Sequence, residues 1–109
     1  MPMAHYTLHD LEQTIAQRAS ADAAQSYTRA LLDKGVAHCA KKFGEEAVET
    51  VIAALGDDRA ALVAESADVL YHLLVVLKAR GVALDEVEAA LEQRAAQSGH
   101  AEKAARQEK

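Results

Sequence analysis

The chain has no Trp, one Phe, one Cys and one Pro among its 109 residues. The Pro stands at position 2, so the interior carries no helix breaker. Aromatics make up 4% of the residues although half of the chain is hydrophobic, which leaves mainly Ala, Leu and Val to build a core. A β-rich fold draws on aromatic and β-branched residues and frequent turn signals, so this composition excludes it. A lone Cys39 forms no intrachain disulfide. Residues 1–4 have neither a basic start nor an apolar run, and the longest strictly apolar run, residues 73–77, is far too short for a bilayer. A soluble protein of a reducing cytoplasm is expected. Positive charge is also scarce: 12 Lys and Arg against 17 Asp and Glu give −5, the wrong sign for a general nucleic-acid binder.

What is present is helical patterning. Thr7 and Asp10 predict the cap of a first helix running to about Ala19, with Leu8, Leu11, Ile15 and Ala19 on one stripe. Residues 20–25 read as a turn, and Ser26 as the cap of a short helix stopped by Gly35. A long helix is expected over 36–55, then a turn at Gly56-Asp57-Asp58, then a second long helix over 59–80 ending at Gly81. Asp85 and Glu86 open a last amphipathic helix containing Val87, Ala90, Leu91 and Arg94. One all-α domain, an antiparallel bundle of four to five helices over residues 1–98, is the expectation, followed by a frayed polar tail over 99–109.

The short turn makes the two long helices antiparallel neighbours. Glu46 and Glu49 on one arm, and Glu65 and Asp68 on the other, are each spaced i, i+3 and so share a helix face. Both pairs are centred equally far from Asp57, roughly 14 Å up each arm at about 1.5 Å per residue. Four carboxylates at one level repel unless protonated or neutralised, and a hard divalent cation is their natural partner. On the first arm an ordinary solvated face competes with this reading. Ala40, Gly44, Ala47, Val48, Val51 and Leu55 form one side, with Lys42, Glu46 and Glu49 opposite. On the second arm Glu65 and Asp68 are the only charged residues between Arg59 and Lys78, and residues 69–77 are apolar nearly all round, the mark of a helix buried on most sides. His72 falls within about 60° of both carboxylates on the helical wheel, and a structural hydrogen bond to Asp68 at i, i+4 is as natural as a chemical role. Gly44, costly inside a helix, points either to close packing against a neighbour or to close approach of a substrate.

Lys41-Lys42-Phe43-Gly44-Glu45-Glu46-Ala47-Val48-Glu49, followed by Glu65-Ser66-Ala67-Asp68-Val69-Leu70-Tyr71-His72, resembles the signature of the MazG-like all-α nucleoside triphosphate pyrophosphohydrolases. Within them Ser26-Tyr27-Thr28-Arg29-Ala30-Leu31-Leu32, Tyr71-His72-Leu73-Leu74 and the segment from Val87 to Arg94 are similar to the phosphoribosyl-ATP pyrophosphatases. Phe43 and Arg29 depart from the usual aliphatic and Lys. The resemblance implies Mg²⁺-dependent hydrolysis of phosphoribosyl-ATP to phosphoribosyl-AMP and pyrophosphate in histidine biosynthesis, with Mn²⁺ as a substitute ion. By position it implies metal ligands at Glu46, Glu49, Glu65 and Asp68, and a water-orienting or supporting role for Glu45. It also implies substrate contacts among Lys41, Lys42, Arg29, His72 and Arg94. A house-cleaning enzyme for (d)NTPs and a non-catalytic helical interaction module are the rival readings. The thin core of small side chains, with the apolar stretch 69–77, further predicts a homodimer or larger homo-oligomer.

Overall fold

The computed structural model describes residues 5–97 and Arg106; the tail expected over 99–109 lies, Arg106 apart, outside the described residues. Through residue 97 five helices follow one another, α1 (Leu8–Ala19), α2 (Tyr27–Asp33), α3 (Val36–Leu55), α4 (Arg59–Ala79) and α5 (Leu84–Ala95), and no strand occurs among the described residues. The all-α expectation is met.

The start signals act as the local chemistry dictates. Thr7 Oγ1 accepts from the Asp10 amide at 3.1 Å, and the Asp10 carboxylate accepts from the Thr7 amide at 2.9 Å, a reciprocal capping box. That bonding holds the Asp10 carboxyl below its ordinary range. Ser26 Oγ accepts from the Arg29 amide and donates to the Arg18 carbonyl at 3.0 Å, so one hydroxyl starts α2 and ties it to the end of α1. Asp58 caps α4 by accepting from the Ala61 amide at 3.2 Å. Two turns need positive φ, at Gly35 (95°) and Gly81 (70°), where an L side chain is strained.

The core lies at one end of the α3–α4 hairpin. Ile15, Leu31, Cys39, Leu74, Val75 and Leu84 are buried together, one or two from each of the five helices. Cys39 is sealed there with its thiol directed at the Leu31 carbonyl, and burial pushes that thiol's pKa up. The half of the hairpin nearer the 56–58 turn stands clear of this core. Its outer surface is apolar: Val48, Val51, Ile52 and Leu55 on α3 and Val63 and Leu70 on α4 are exposed. α4 is therefore not buried on most sides within one chain; of residues 69–77 only His72, Leu74 and Val75 are buried. By length and composition α4 also passes as a membrane span, but its two acidic residues sit at mid-helix and it forms one arm of the hairpin.

α5 is held to α1 by polar contacts. Glu12 accepts from the Leu84 amide at 2.8 Å, and His9 Nε2 meets Glu88 at 2.8 Å and Asp85 at 3.7 Å. The bond to Glu88, then the charges of Glu88, Asp85 and Glu12, lifts the His9 pKa above its ordinary 6.5. A raised folded-state pKa means that this contact stabilises fully below pH 6.5 and fades as pH rises through the folded value. Melting temperature is expected to fall slightly between about pH 6 and pH 8 in the unaltered chain. The fall should be smaller in His9→Gln, read by circular dichroism.

Candidate active site

The level at which the carboxylates meet is fixed by Thr50. Its hydroxyl lies 2.8 Å from the Glu46 carbonyl one turn back and 3.1 Å from the Glu65 carbonyl across the hairpin. One rotatable hydroxyl thus marks residues 50 and 65 as neighbours. That is the register expected from equal distance to the turn.

α3 turns Cys39, Phe43, Glu46, Thr50 and Ala53 toward the rest of the fold, all half-buried or buried, while Gly44, Val48, Val51 and Leu55 face out. The face containing Glu46 is thus not an ordinary solvated one, and the apolar stripe is not the inner one. Glu46, half-buried, comes together with Glu65, half-buried, and Asp68, exposed; one carboxylate oxygen of each lies within 4.8 Å of the others. Opposite ligands of a single Mg²⁺ are roughly 4.2 Å apart at 2.1 Å per bond, so small side-chain rotations close the set. Glu49 is exposed and lies outside this trio, although its charge reaches Glu65. Desolvation, followed by the charges of Glu46, Asp68 and Glu49, pushes the Glu65 pKa up. An all-oxygen donor set crowded with like charge is the chemistry that suits a hard divalent cation.

The remaining residues named from the sequence fall in different places. Lys42 is half-buried and its ammonium pairs with Glu45 at 3.2 Å; Glu45 first, and Tyr27 and Glu46 further on, raise its pKa. Lys41 is exposed on the same helix. Arg29 is engaged within the chain: Nε donates to Asp33 at 2.9 Å and Nη1 to the Ala21 carbonyl at 3.2 Å, bracing the 20–25 turn. Arg94 is exposed on α5, and no ion pair joins it to the carboxylates among the described residues. His72 is 6% exposed and its Nδ1 meets the Asp68 backbone carbonyl at 2.8 Å. The expected partner was the right residue, but the contact is to its main chain, which leaves the Asp68 carboxylate free for the trio. Nε2 of His72 is buried without a partner. A Cβ added at Gly44 meets nothing within 4 Å, so close packing inside the chain does not account for this glycine.

One aromatic group, not expected from the sequence, joins α2 to α4. Tyr27 stacks on Tyr71 (centroids 6.4 Å, planes 22° apart) and meets the His72 ring edge-on at 6.3 Å. The Tyr71 phenol is bonded to the buried Thr28 hydroxyl at 2.5 Å. No spacing rule flags this cluster, because Tyr27 comes from α2 and its partners from α4. A second acid-rich group, His9 with Asp85 and Glu88, is the α1–α5 contact already described. A groove of about 350 Å³ lined by Glu12, Ile15, Leu74, Leu77 and Val82 contains none of the three trio carboxylates.

Fold and site together define an all-α helical-hairpin protein with three carboxylates drawn together between its arms. The profile of the family described as phosphoribosyl-ATP pyrophosphohydrolase matches residues 8–95. The chain is 65% identical to phosphoribosyl-ATP pyrophosphatase 1 of Bradyrhizobium diazoefficiens, over 97% of this chain and 100% of that protein. It is 63% identical to the phosphoribosyl-ATP pyrophosphatase of Azorhizobium caulinodans, over 93% of each. A third relative, phosphoribosyl-ATP pyrophosphatase 1 of Rhodopseudomonas palustris, is 62% identical over 95% of this chain and 97% of that protein. The chain belongs to the phosphoribosyl-ATP pyrophosphohydrolase family.

Proposed function

We propose that this protein hydrolyses phosphoribosyl-ATP to phosphoribosyl-AMP and pyrophosphate, the second step of histidine biosynthesis, as a Mg²⁺-dependent cytoplasmic enzyme. Family membership supports the substrate, and the Glu46, Glu65 and Asp68 trio supports the chemistry. These three residues would hold the ion, with Glu49 beside them as a further ligand. When bound, Mg²⁺, or Mn²⁺ in its place, would supply polarisation of the triphosphate and charge stabilisation of the leaving pyrophosphate. Around it the chain contributes positioning. Lys42 and Lys41 present positive charge on the same helix as Glu46, where the phosphate oxygens of the substrate would lie. Glu45, held by Lys42, is the group proposed to orient the attacking water. Half-burial of Glu46 and Glu65 strengthens their attraction to a cation relative to a fully solvated pair.

The reading includes a second copy of the chain, seated on the apolar outer face of the hairpin. Six large aliphatic side chains exposed on one supersecondary unit are more than a small soluble domain usually leaves in water.

The deciding experiment measures pyrophosphate release from phosphoribosyl-ATP and from a panel of dNTPs in parallel, with and without EDTA. Phosphoribosyl-ATP should be the preferred substrate, with turnover lost in EDTA and restored by excess Mg²⁺. A clear preference for dNTPs sinks the proposal in favour of a house-cleaning enzyme. Turnover undiminished in EDTA sinks the metal assignment.

A further inference from the structure

Tyr27 is 57% exposed, yet its ring is held on a built support. Tyr71 packs against it in an offset stack, centroids 6.4 Å apart and planes 22° apart, and His72 meets both rings edge-on, at 6.3 Å from Tyr27 and 4.9 Å from Tyr71. The support is fixed at both ends. Thr28, 1% exposed, binds the Tyr71 phenol, and the Asp68 carbonyl binds His72 Nδ1. A flat ring fixed by neighbours on one side, with more than half its surface in water, is an unused stacking surface. It loses little freedom when a second flat ring covers it. Its position suits a nucleotide. His72 stands one helical turn from Asp68, about 6 Å along α4, so the aromatic platform begins where the carboxylate trio ends. Lys42 stands one helical turn before Glu46 on α3 and, paired with Glu45, presents positive charge one turn from the trio. A ligand with phosphates at the trio and Lys42 would carry its base toward Tyr27.

We propose that Tyr27, supported by Tyr71 and His72, is the stacking surface for the purine base of the substrate. The inference rests on the nucleotide-hydrolysing reading above, and it assigns the base end of the site where that reading assigns the phosphate end. Base–aromatic stacking of this kind changes affinity by about 10- to 100-fold on removal of the ring.

The test is calorimetric binding of αβ-methylene-ATP and of inorganic tripolyphosphate, each with Mg²⁺, to the full chain and to Tyr27→Ser and Tyr27→Phe. The unaltered protein should bind the adenine nucleotide at least about tenfold more tightly than tripolyphosphate. Tyr27→Ser should abolish that preference while leaving tripolyphosphate affinity unchanged, and Tyr27→Phe should retain it. In turnover, KM for phosphoribosyl-ATP should rise by the same factor in Tyr27→Ser with kcat nearly constant. Equal weakening of both ligands, no weakening of either, or no preference in the unaltered protein overturns the assignment. Failure of the unaltered protein to turn over phosphoribosyl-ATP would sink the substrate reading instead, and the binding comparison still decides on Tyr27. Sedimentation of Tyr27→Ser should match the unaltered chain; a change of oligomeric state would make Tyr27 a subunit contact and overturn the proposal.

Discussion

Glu46→Gln should lower kcat/KM for phosphoribosyl-ATP by about a thousandfold while leaving the fold intact. The size follows from what one metal ligand supports. Lewis-acid stabilisation of a triphosphate is worth several kcal/mol, and each 1.4 kcal/mol of barrier is about tenfold in rate. Asp68→Asn should match it. Glu49→Gln, a further ligand outside the trio, should fall by less, about 10- to 100-fold, because three carboxylates remain to hold the ion. Stability separates this from simple damage. In metal-free protein three carboxylates repel, so removing one charge leaves the melting temperature unchanged or raises it. With Mg²⁺ at about ten times its dissociation constant, the unaltered chain gains roughly 1.4 kcal/mol, or about 5 °C and upward for a domain of this size. Glu46→Gln should lose that gain. A non-catalytic interaction module predicts no Mg²⁺ effect on melting in either protein, and equal melting curves would falsify the metal assignment.

The register of this site was legible because it depends on counting. Gly56-Asp57-Asp58 stops one helix and caps the next, and residues equally far from it must face each other in an antiparallel pair; the Thr50 hydroxyl between the carbonyls of Glu46 and Glu65 shows the outcome. Helix starts were legible for a similar reason, since Thr7, Ser26 and Asp58 satisfy amides only a few residues away. Rotation of α3 about its axis was not legible from one chain. The wheel has an apolar side and an acidic side, and the usual rule sends the apolar side inward. Here the half-polar side packs on α4, and Val48, Val51 and Leu55 are left outside. His72 shows the same limit at smaller scale. A helical side chain leans back toward the preceding turn, so the i−4 carbonyl and the i−4 carboxylate both lie within reach. Which of the two His72 meets depends on where the Asp68 carboxylate sits relative to α3, a tertiary fact. Tyr27 escaped notice because its significance is the company it keeps on α4, more than 40 residues away in sequence.

Rotation of α3 leads to the second large effect, that Val51→Glu should convert a dimer into a folded but separated chain. In the single chain Val51 is 59% exposed, so a carboxylate there finds water and costs the protomer little. Beneath a second copy the same carboxylate is buried without a partner, at several kcal/mol, and two-fold symmetry of a dimer introduces it twice. The proposed interface that it opposes would have a definite driving force. Val48, Val51, Ile52, Leu55, Val63 and Leu70 from each protomer, already partly covered, contribute on the order of 10 kcal/mol or more when sealed. Association costs about 4 to 15 kcal/mol, which is of the same order, so one buried charge is enough to tip the balance against the dimer. Sedimentation at micromolar concentration should show the unaltered protein as a dimer and Val51→Glu as a single chain of equal helicity. Melting temperature should rise with concentration in the former and not in the latter, because only a dimer couples folding to mass action. An unaltered protein that sediments as one chain, or a Val51→Glu variant that remains a dimer, removes the second copy from this face. The trio draws its ligands from both arms of one hairpin, so the separated chain should still show its Mg²⁺-dependent rise in melting temperature. That result would separate metal binding, a property of one hairpin, from the assembly that covers its apolar side.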